Sequence, residues 1–157
     1  MDHVAIMSRW LDHRGSSKKS GKKDWKLIEK ILTGEKTIES RWYKTRRAPW
    51  DKVVAGQTVY FKNSGEKITV KAEIKKVLQF SDLDSKKVEE LLNKFGNQIG
   101  VEKESAAKFS RKFGGARYGI LIFLKNPMKI IPFSISKKGF GNMASWLSVN
   151  NISTIKQ

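Results

Sequence analysis

Residues 31–52 read ILTGEKTIESRWYKTRRAPWDK, and a helix end, a strand and a basic loop follow one another within them. Gly34 is placed to end a helix, because glycine tolerates the left-handed backbone with which helices commonly close. Lys36 to Tyr43 then alternates with the period of a strand. Ile38, Ser40 and Trp42 point one way, and Thr37, Glu39, Arg41 and Tyr43 point the other. Pro49 stops regular structure and stiffens the loop around it. Six cationic residues (Lys36, Arg41, Lys44, Arg46, Arg47, Lys52) stand among three aromatic ones (Trp42, Tyr43, Trp50). Cations that meet phosphates, beside flat rings that stack on bases, are the ingredients of a site for unpaired nucleic acid.

Outward from this segment the chain reads as a small mixed fold. His3 to Met7 is a short apolar strand. Residues 12–23, DHRGSSKKSGKK, are too polar to bury a core and are expected to form a mobile basic loop. Asp24 is expected to cap a helix carrying Trp25, Ile28 and Leu32 on one face. Thr58 to Asn63 and Lys67 to Phe80 form two strands joined by a Ser64-Gly65-Glu66 hairpin turn. A helix capped at Asp84-Ser85 carries Val88, Leu91, Leu92 and Phe95 at helical spacing. Another, from about Glu102 to Phe113, places Ala106, Phe109 and Phe113 on one side, with Lys103, Lys108, Arg111 and Lys112 as its solvated border.

Tyr118 to Leu124, YGILIFL, reads as the most buried strand, and Met128 to Ser136 as a separate one that Pro132 confines to an edge or a bulge. Asn142 to Leu147 is expected to be a short helix docking Met143, Trp146 and Leu147 as a lid. Five or six strands with three or four helices, without βαβ alternation, give an α+β, mainly β class. The shape expected is a curved sheet or barrel with flanking helices, in one domain spanning 1–157.

The chain has 157 residues and a net charge of +17, a field that attracts polyanions. Of its 32 basic residues seven are Arg and the rest Lys, so part of the excess is also readable as solvated surface. There is no cysteine, which excludes disulfides, thiol nucleophiles and Cys-based zinc sites. The two histidines, His3 and His13, have no metal-ligand spacing, so neither a metal nor another cofactor is expected. No apolar run reaches membrane-spanning length and no signal-peptide core opens the chain, which predicts a cytoplasmic protein. Gly114-Gly115-Ala116-Arg117 lacks the Lys-Ser/Thr of a phosphate-binding P-loop.

Gly34-Glu35-Lys36-Thr37-Ile38-Glu39-Ser40-Arg41 resembles the G-x-K-x-x-E-x-R signature of ASCH domains, a branch of the PUA-like superfamily. The following RWYKTRRAPWDKV and AGQTVYFKNSGEKITVKAEIKKVLQF are similar to the small archaeal and bacterial ASCH-type proteins, so the likeness runs from about Val4 to Phe80. It implies a β-barrel with helices around it and a cleft between them that the signature lines. By motif position Lys36, Glu39 and Arg41 become cleft residues, with Arg46, Arg47 and Trp50 as flanks. The family includes members that bind RNA or DNA, members with nuclease activity, and an amidohydrolase acting on acetylated cytidine. In that hydrolase the signature lysine works with a threonine three residues on, a position that Glu39 occupies in this sequence.

The leading expectation is therefore a nucleic-acid-binding module for RNA, with single-stranded DNA as a second ligand. Its binding residues would be Lys36, Glu39, Arg41, Arg46, Arg47, Trp50, Trp10 and Lys62. Trp50 is either a plug at one end of the barrel or a stacking platform beside two guanidinium groups. Lys36→Ala and Arg41→Ala are each expected to weaken binding without unfolding. The alternative is a metal-independent hydrolase on a modified nucleoside or on RNA, with Lys36, Thr37 and Glu39 as candidate catalytic residues. A charged adaptor for an acidic protein is the third reading.

Overall fold

The computed structural model describes residues 1–11, 23–103 and 106–157. The elements are β1 (Asp2–Met7), β2 (Trp10–Leu11), β3 (Lys23–Asp24), α1 (Leu27–Thr33), β4 (Ile38–Tyr43), β5 (Thr58–Asn63), β6 (Ile68–Phe80), α2 (Ser85–Ile99), α3 (Ala106–Phe113), β7 (Tyr118–Phe133) and β8 (Trp146–Val149). A 3-10 turn follows at Ile152–Thr154. Six strands form one sheet in the order β4-β7-β6-β5-β1-β8, with β1 and β5 parallel and the other pairs antiparallel. The sheet curls into a half-barrel, and its two edges approach each other. The Arg41 guanidinium on β4 donates across that seam to the carbonyl of Ser145, which precedes β8, and to that of Ile6 on β1. The fold is thus α+β and mainly β, as expected.

Strand alternation sorts the apolar residues into three cores. Ala5 and Met7, Val59 and Phe61, and Ile120 and Ile122 face the inside of the curl, where Ile28 and Ile31 of α1 fill it. On the outer face of β4 and β7, Ile38, Trp42 and Leu121 meet Val88, Leu92 and Ile99 of α2 and Phe109 of α3. Val4, Ile6 and Leu147 point outward at the other end, under Phe140, Ile152 and Ile155. Ile120, Leu121 and Ile122 are fully buried. Each contributes about 1.5–3 kcal/mol relative to exposure, which is why YGILIFL reads so plainly as a buried strand.

Four local expectations are corrected. Asp24 does not cap α1: it pairs with Trp10 in the β2–β3 ribbon, and its carboxylate accepts the Lys26 N–H two residues on. Lys26 takes the N-cap position instead, with no side-chain cap. The third helix starts at Ala106 rather than near Glu102. Tyr118 to Phe133 is one long strand. Pro132 is accommodated because that half of β7 has run past β4, and its register against β6 shifts between Lys129 and Phe133. Asn142 to Leu147 is no helix. Met143, Trp146 and Leu147 mimic helical spacing, but Trp146 joins the inner core and Leu147 the outer one, the period of a strand. Met143 is 89% exposed. The basic loop expected at 12–23 lies outside the described residues except for Lys23.

His3 shares the inward face of β1 and is fully buried. Its Nε2 lies 2.7 Å from Gln57 Oε1, and its Nδ1 lies 2.9 Å from Ser148 Oγ and 3.4 Å from Trp146 Nε1. Nε2 therefore carries the proton, and Nδ1 accepts. Burial pushes the imidazole below its ordinary 6.5, more than the Gln57 bond raises it. A base whose folded pKa is depressed withholds a proton that the unfolded chain takes up, so stability is full above pH 6.5 and falls as the pH drops below it. The urea midpoint should decline on acidification from 6.5, and His3→Gln should flatten that decline. Identical slopes in the two proteins would remove His3 from the acid response.

Candidate functional site

The signature segment is first a device that joins α1, α2 and β4. Gly34 closes α1 with φ 83°, and the Lys36 amide then donates to the Lys30 carbonyl. The Thr37 amide donates to the Gln98 carbonyl, and the Lys36 ammonium donates to Ile99 O and Ile38 O, both at 2.6 Å. Carbonyls in the last turn of a helix lack intrahelical partners, and a cation there also meets the negative end of the macrodipole. Lys36 thus caps α2 from outside. Gly100 makes room for it, since a Cβ there would lie 3.3 Å from Lys36 Cδ.

Lys36 is 2% exposed and Glu39 5%. Burial pushes the Lys36 ammonium below its usual range, partly offset by the Glu39 charge. Its Nζ lies 3.8 Å from Glu39 Oε2, an ion pair too long for a hydrogen bond. Arg41 Nε lies 3.5 Å from Glu39 Oε1. Among the described residues neither Glu39 Oε2 nor Arg41 Nε has a hydrogen-bond partner, although both are buried. The Arg41 guanidinium also stacks over Trp146 at 5.3 Å.

These groups lie in a cleft of about 240 Å³ at the seam of the half-barrel, between the edge strand β4 and the helices. One wall is aromatic. Trp42 meets Phe109 edge-on at 6.4 Å and Phe113 at 6.3 Å, and Trp25 meets Phe109 at 6.1 Å. Trp42 is held by donating its indole N–H to Ser40 Oγ. Gly119, beneath it on β7, leaves room for this packing: a Cβ there would lie 3.1 Å from the indole and 2.9 Å from the tip of Leu83. Tyr43, Lys112, Met7 and Ser145 also line the cleft.

No protein-family model matches the chain. No curated protein matches it either. Among solved structures it is similar to ASCH from Zymomonas mobilis, with a TM-score of 0.63, 15% identity, and 98% of this chain and 90% of that chain covered. A serine-to-alanine variant of that protein aligns with a TM-score of 0.62 and 13% identity over 98% of this chain and 91% of that one. The chain has the ASCH fold. At such identity the likeness concerns architecture, and the side chains of the cleft speak for themselves.

Within this ASCH fold, Lys36, Glu39 and Arg41 come together in the cleft. Thr37 does not line it: its backbone is clamped between Gln98 O and the Leu124 amide. The basic loop after β4 packs beside the cleft. Trp50 is half-buried against the inner core and meets Tyr118 edge-on at 5.2 Å, so one of its faces plugs the barrel. Arg46 lies over Trp50 and Tyr118, and Arg47 lies over Tyr43, which is itself a cleft residue. Lys62 stands on the outer face of β5, opposite Ile6. Trp10 is placed by its backbone pairing with Asp24, and its side chain lies outside what the structure describes.

Three contributors escaped the sequence reading: the wall of Trp25, Phe109 and Phe113, the Ser145 carbonyl, and Lys112 as lining. The α3 aromatics carry a helical signal that says only "buried face". Lys112 is exposed, as expected of the solvated border of its helix, and it also lines the cleft, with its ammonium over Phe113.

Proposed function

We propose that the chain, acting as one unit over residues 1–157, is a nucleic-acid-binding module. Its first ligand is RNA, with single-stranded DNA second. It takes one unpaired base into the cleft while lysines on the surrounding surface contact phosphates. The observation that carries this reading is Glu39 Oε2, a buried carboxylate oxygen with no hydrogen-bond partner among the described residues and only a 3.8 Å ion pair to Lys36. Leaving such an acceptor unpaired costs about 1–3 kcal/mol or more, and a donor on an incoming ligand removes that cost. An exocyclic amino group on a base is such a donor. Trp42, Phe109 and Phe113 offer it an apolar, aromatic wall, as sites for unstacked bases do. Arg47 on Tyr43 and Lys112 at the rim supply cations where the backbone would leave the cleft.

A second reading, a hydrolase on a modified nucleoside, is favoured by the small cleft and by the lowered pKa of Lys36 beside Glu39. Against it, two of the three Lys36 donors are committed to carbonyls, and Thr37 stands outside the cleft.

Fluorescence anisotropy with short single-stranded RNA, matched single-stranded DNA and duplex DNA across a salt series tests the proposal. Association by charge alone falls with a slope of about −0.7 per neutralised phosphate on single strands, without preference among them. The expected result is single-strand binding that retains a salt-insensitive part, strongest for RNA. If all three polymers wash off alike, base recognition is ruled out.

A further inference from the structure

We propose that the depression adjoining the cleft is an anion subsite that holds the phosphate of the nucleotide whose base enters the cleft. Lys62 and Lys137 would be its ligands; the assignment rests on the base-binding reading given above. The depression encloses about 390 Å³ and is continuous with the cleft, since Ile6, Met7, Ser8, Arg41 and Ser145 line both. Arg41 stands at the junction, with its guanidinium fixed across the seam. A ligand seated on Glu39 therefore has one continuous route outward past Arg41.

The far side of that route is cationic. Lys137 lines the depression with Ser64 and Asn142. Its Nζ donates to the Asn142 carbonyl at 2.8 Å, which fixes the ammonium and leaves two of its three N–H donors. Lys62, on the strand face it shares with Ile6, makes no hydrogen bond or ion pair to a described residue. Burial pushes its pKa down, and the Lys137 charge pushes it further. Lys62 does not itself line the depression but flanks it, opposite Ile6 and two residues before Ser64, both of which do, and one carboxylate offsets its charge. That acid, Glu66, is already engaged by Arg9 at 2.7 Å and Asn63 at 2.8 Å. An anion between the two lysines relieves the repulsion. A phosphate fits best, because its several oxygens accept from both ammoniums and from the Ser64 hydroxyl at once.

The subsite changes the ligand class expected from the cleft alone: a nucleotide or a strand rather than a free nucleoside. Calorimetric titration at low salt with adenosine, cytidine, and the 5′- and 3′-monophosphates of each provides the test. At least one monophosphate series should bind about tenfold tighter than its nucleoside, the gain of one charge-assisted hydrogen bond. Lys62→Gln combined with Lys137→Gln should erase that gain and leave nucleoside affinity unchanged. Inorganic phosphate should compete with the monophosphates and not with the nucleosides. A gain that survives in the double variant, no gain in the unaltered protein, or no binding of any monophosphate overturns the proposal. Failure of the base-binding reading looks different: Glu39→Gln would leave nucleoside affinity untouched, while a lysine-dependent phosphate gain would still mark the depression.

Discussion

Lys36→Ala should destabilise the protein by about 3–5 kcal/mol, the range for removing one partner from a buried charge cluster. The sequence reading had this substitution weaken binding without unfolding, and the geometry reverses that. The ammonium is the partner of two carbonyls at 2.6 Å and one of the two cations that flank a buried carboxylate. Truncation leaves Ile38 O, Ile99 O and Glu39 without it in a site that water cannot easily refill. Domains of this size have about 5–15 kcal/mol in total, so a large part of the stability goes with one side chain. Urea denaturation should show a lower midpoint at an unchanged slope. Lys36→Met, which keeps the volume but not the donors, should be nearly as harmful, which separates hydrogen bonding from packing. A loss below about 1 kcal/mol in Lys36→Ala, the scale of an exposed ion pair, would show that α2 does not depend on this cap.

The same residue shows how far the sequence could be read. Strand β4 was legible from alternation, and the Ser64-Gly65-Glu66 turn and the Asp84 cap were legible from their local chemistry. Such signals lie within a few neighbouring residues. The polar face of β4 was legible as a face, but not as an inward one: Glu39 and Arg41 stand opposite Ile122 and Ile120 and share their side of the sheet. That follows from the curl of the sheet, which depends on all six strands. Cleft closure joins Arg41 to Ser145 O, 104 residues away, and to Ile6 O, 35 residues away, and uses backbone carbonyls, which carry no sequence signal. Asn142 to Leu147 failed for the opposite reason: its three apolar residues satisfy a helical pattern by accident of spacing, and pairing with β1 decides the outcome. The charged triad was therefore legible in the sequence, while the aromatic wall beside it emerged only with α3 in place.

Glu39→Gln should alter which bases the protein prefers, an effect that can be read separately from its effect on folding. A carboxylate only accepts hydrogen bonds, whereas a carboxamide presents an oxygen and an NH2 group. With no hydrogen-bond partner for Oε2 among the described residues, strands offering an amino group, on adenine, cytosine or guanine, meet an acceptor that the O4 of uridine cannot use and that uridine can reach only through its N3–H. A charge-assisted bond contributes about 1.5–3 kcal/mol, so the unaltered protein should prefer oligo-A or oligo-C over oligo-U by about 10–100-fold. Glu39→Gln should bring the ratio towards one, because the amide can turn its NH2 to the uridine carbonyl. Taking the ratio within one variant cancels any general loss of folded protein, which matters because the substitution also leaves Lys36 and Arg41 without their counter-charge. Anisotropy at a fixed salt concentration on the three homopolymers measures it. Equal affinities for oligo-A, oligo-C and oligo-U in the unaltered protein would take base recognition away from Glu39. The carboxylate would then serve only to balance the two cations that hold β4 to α2 and to the far edge of the sheet.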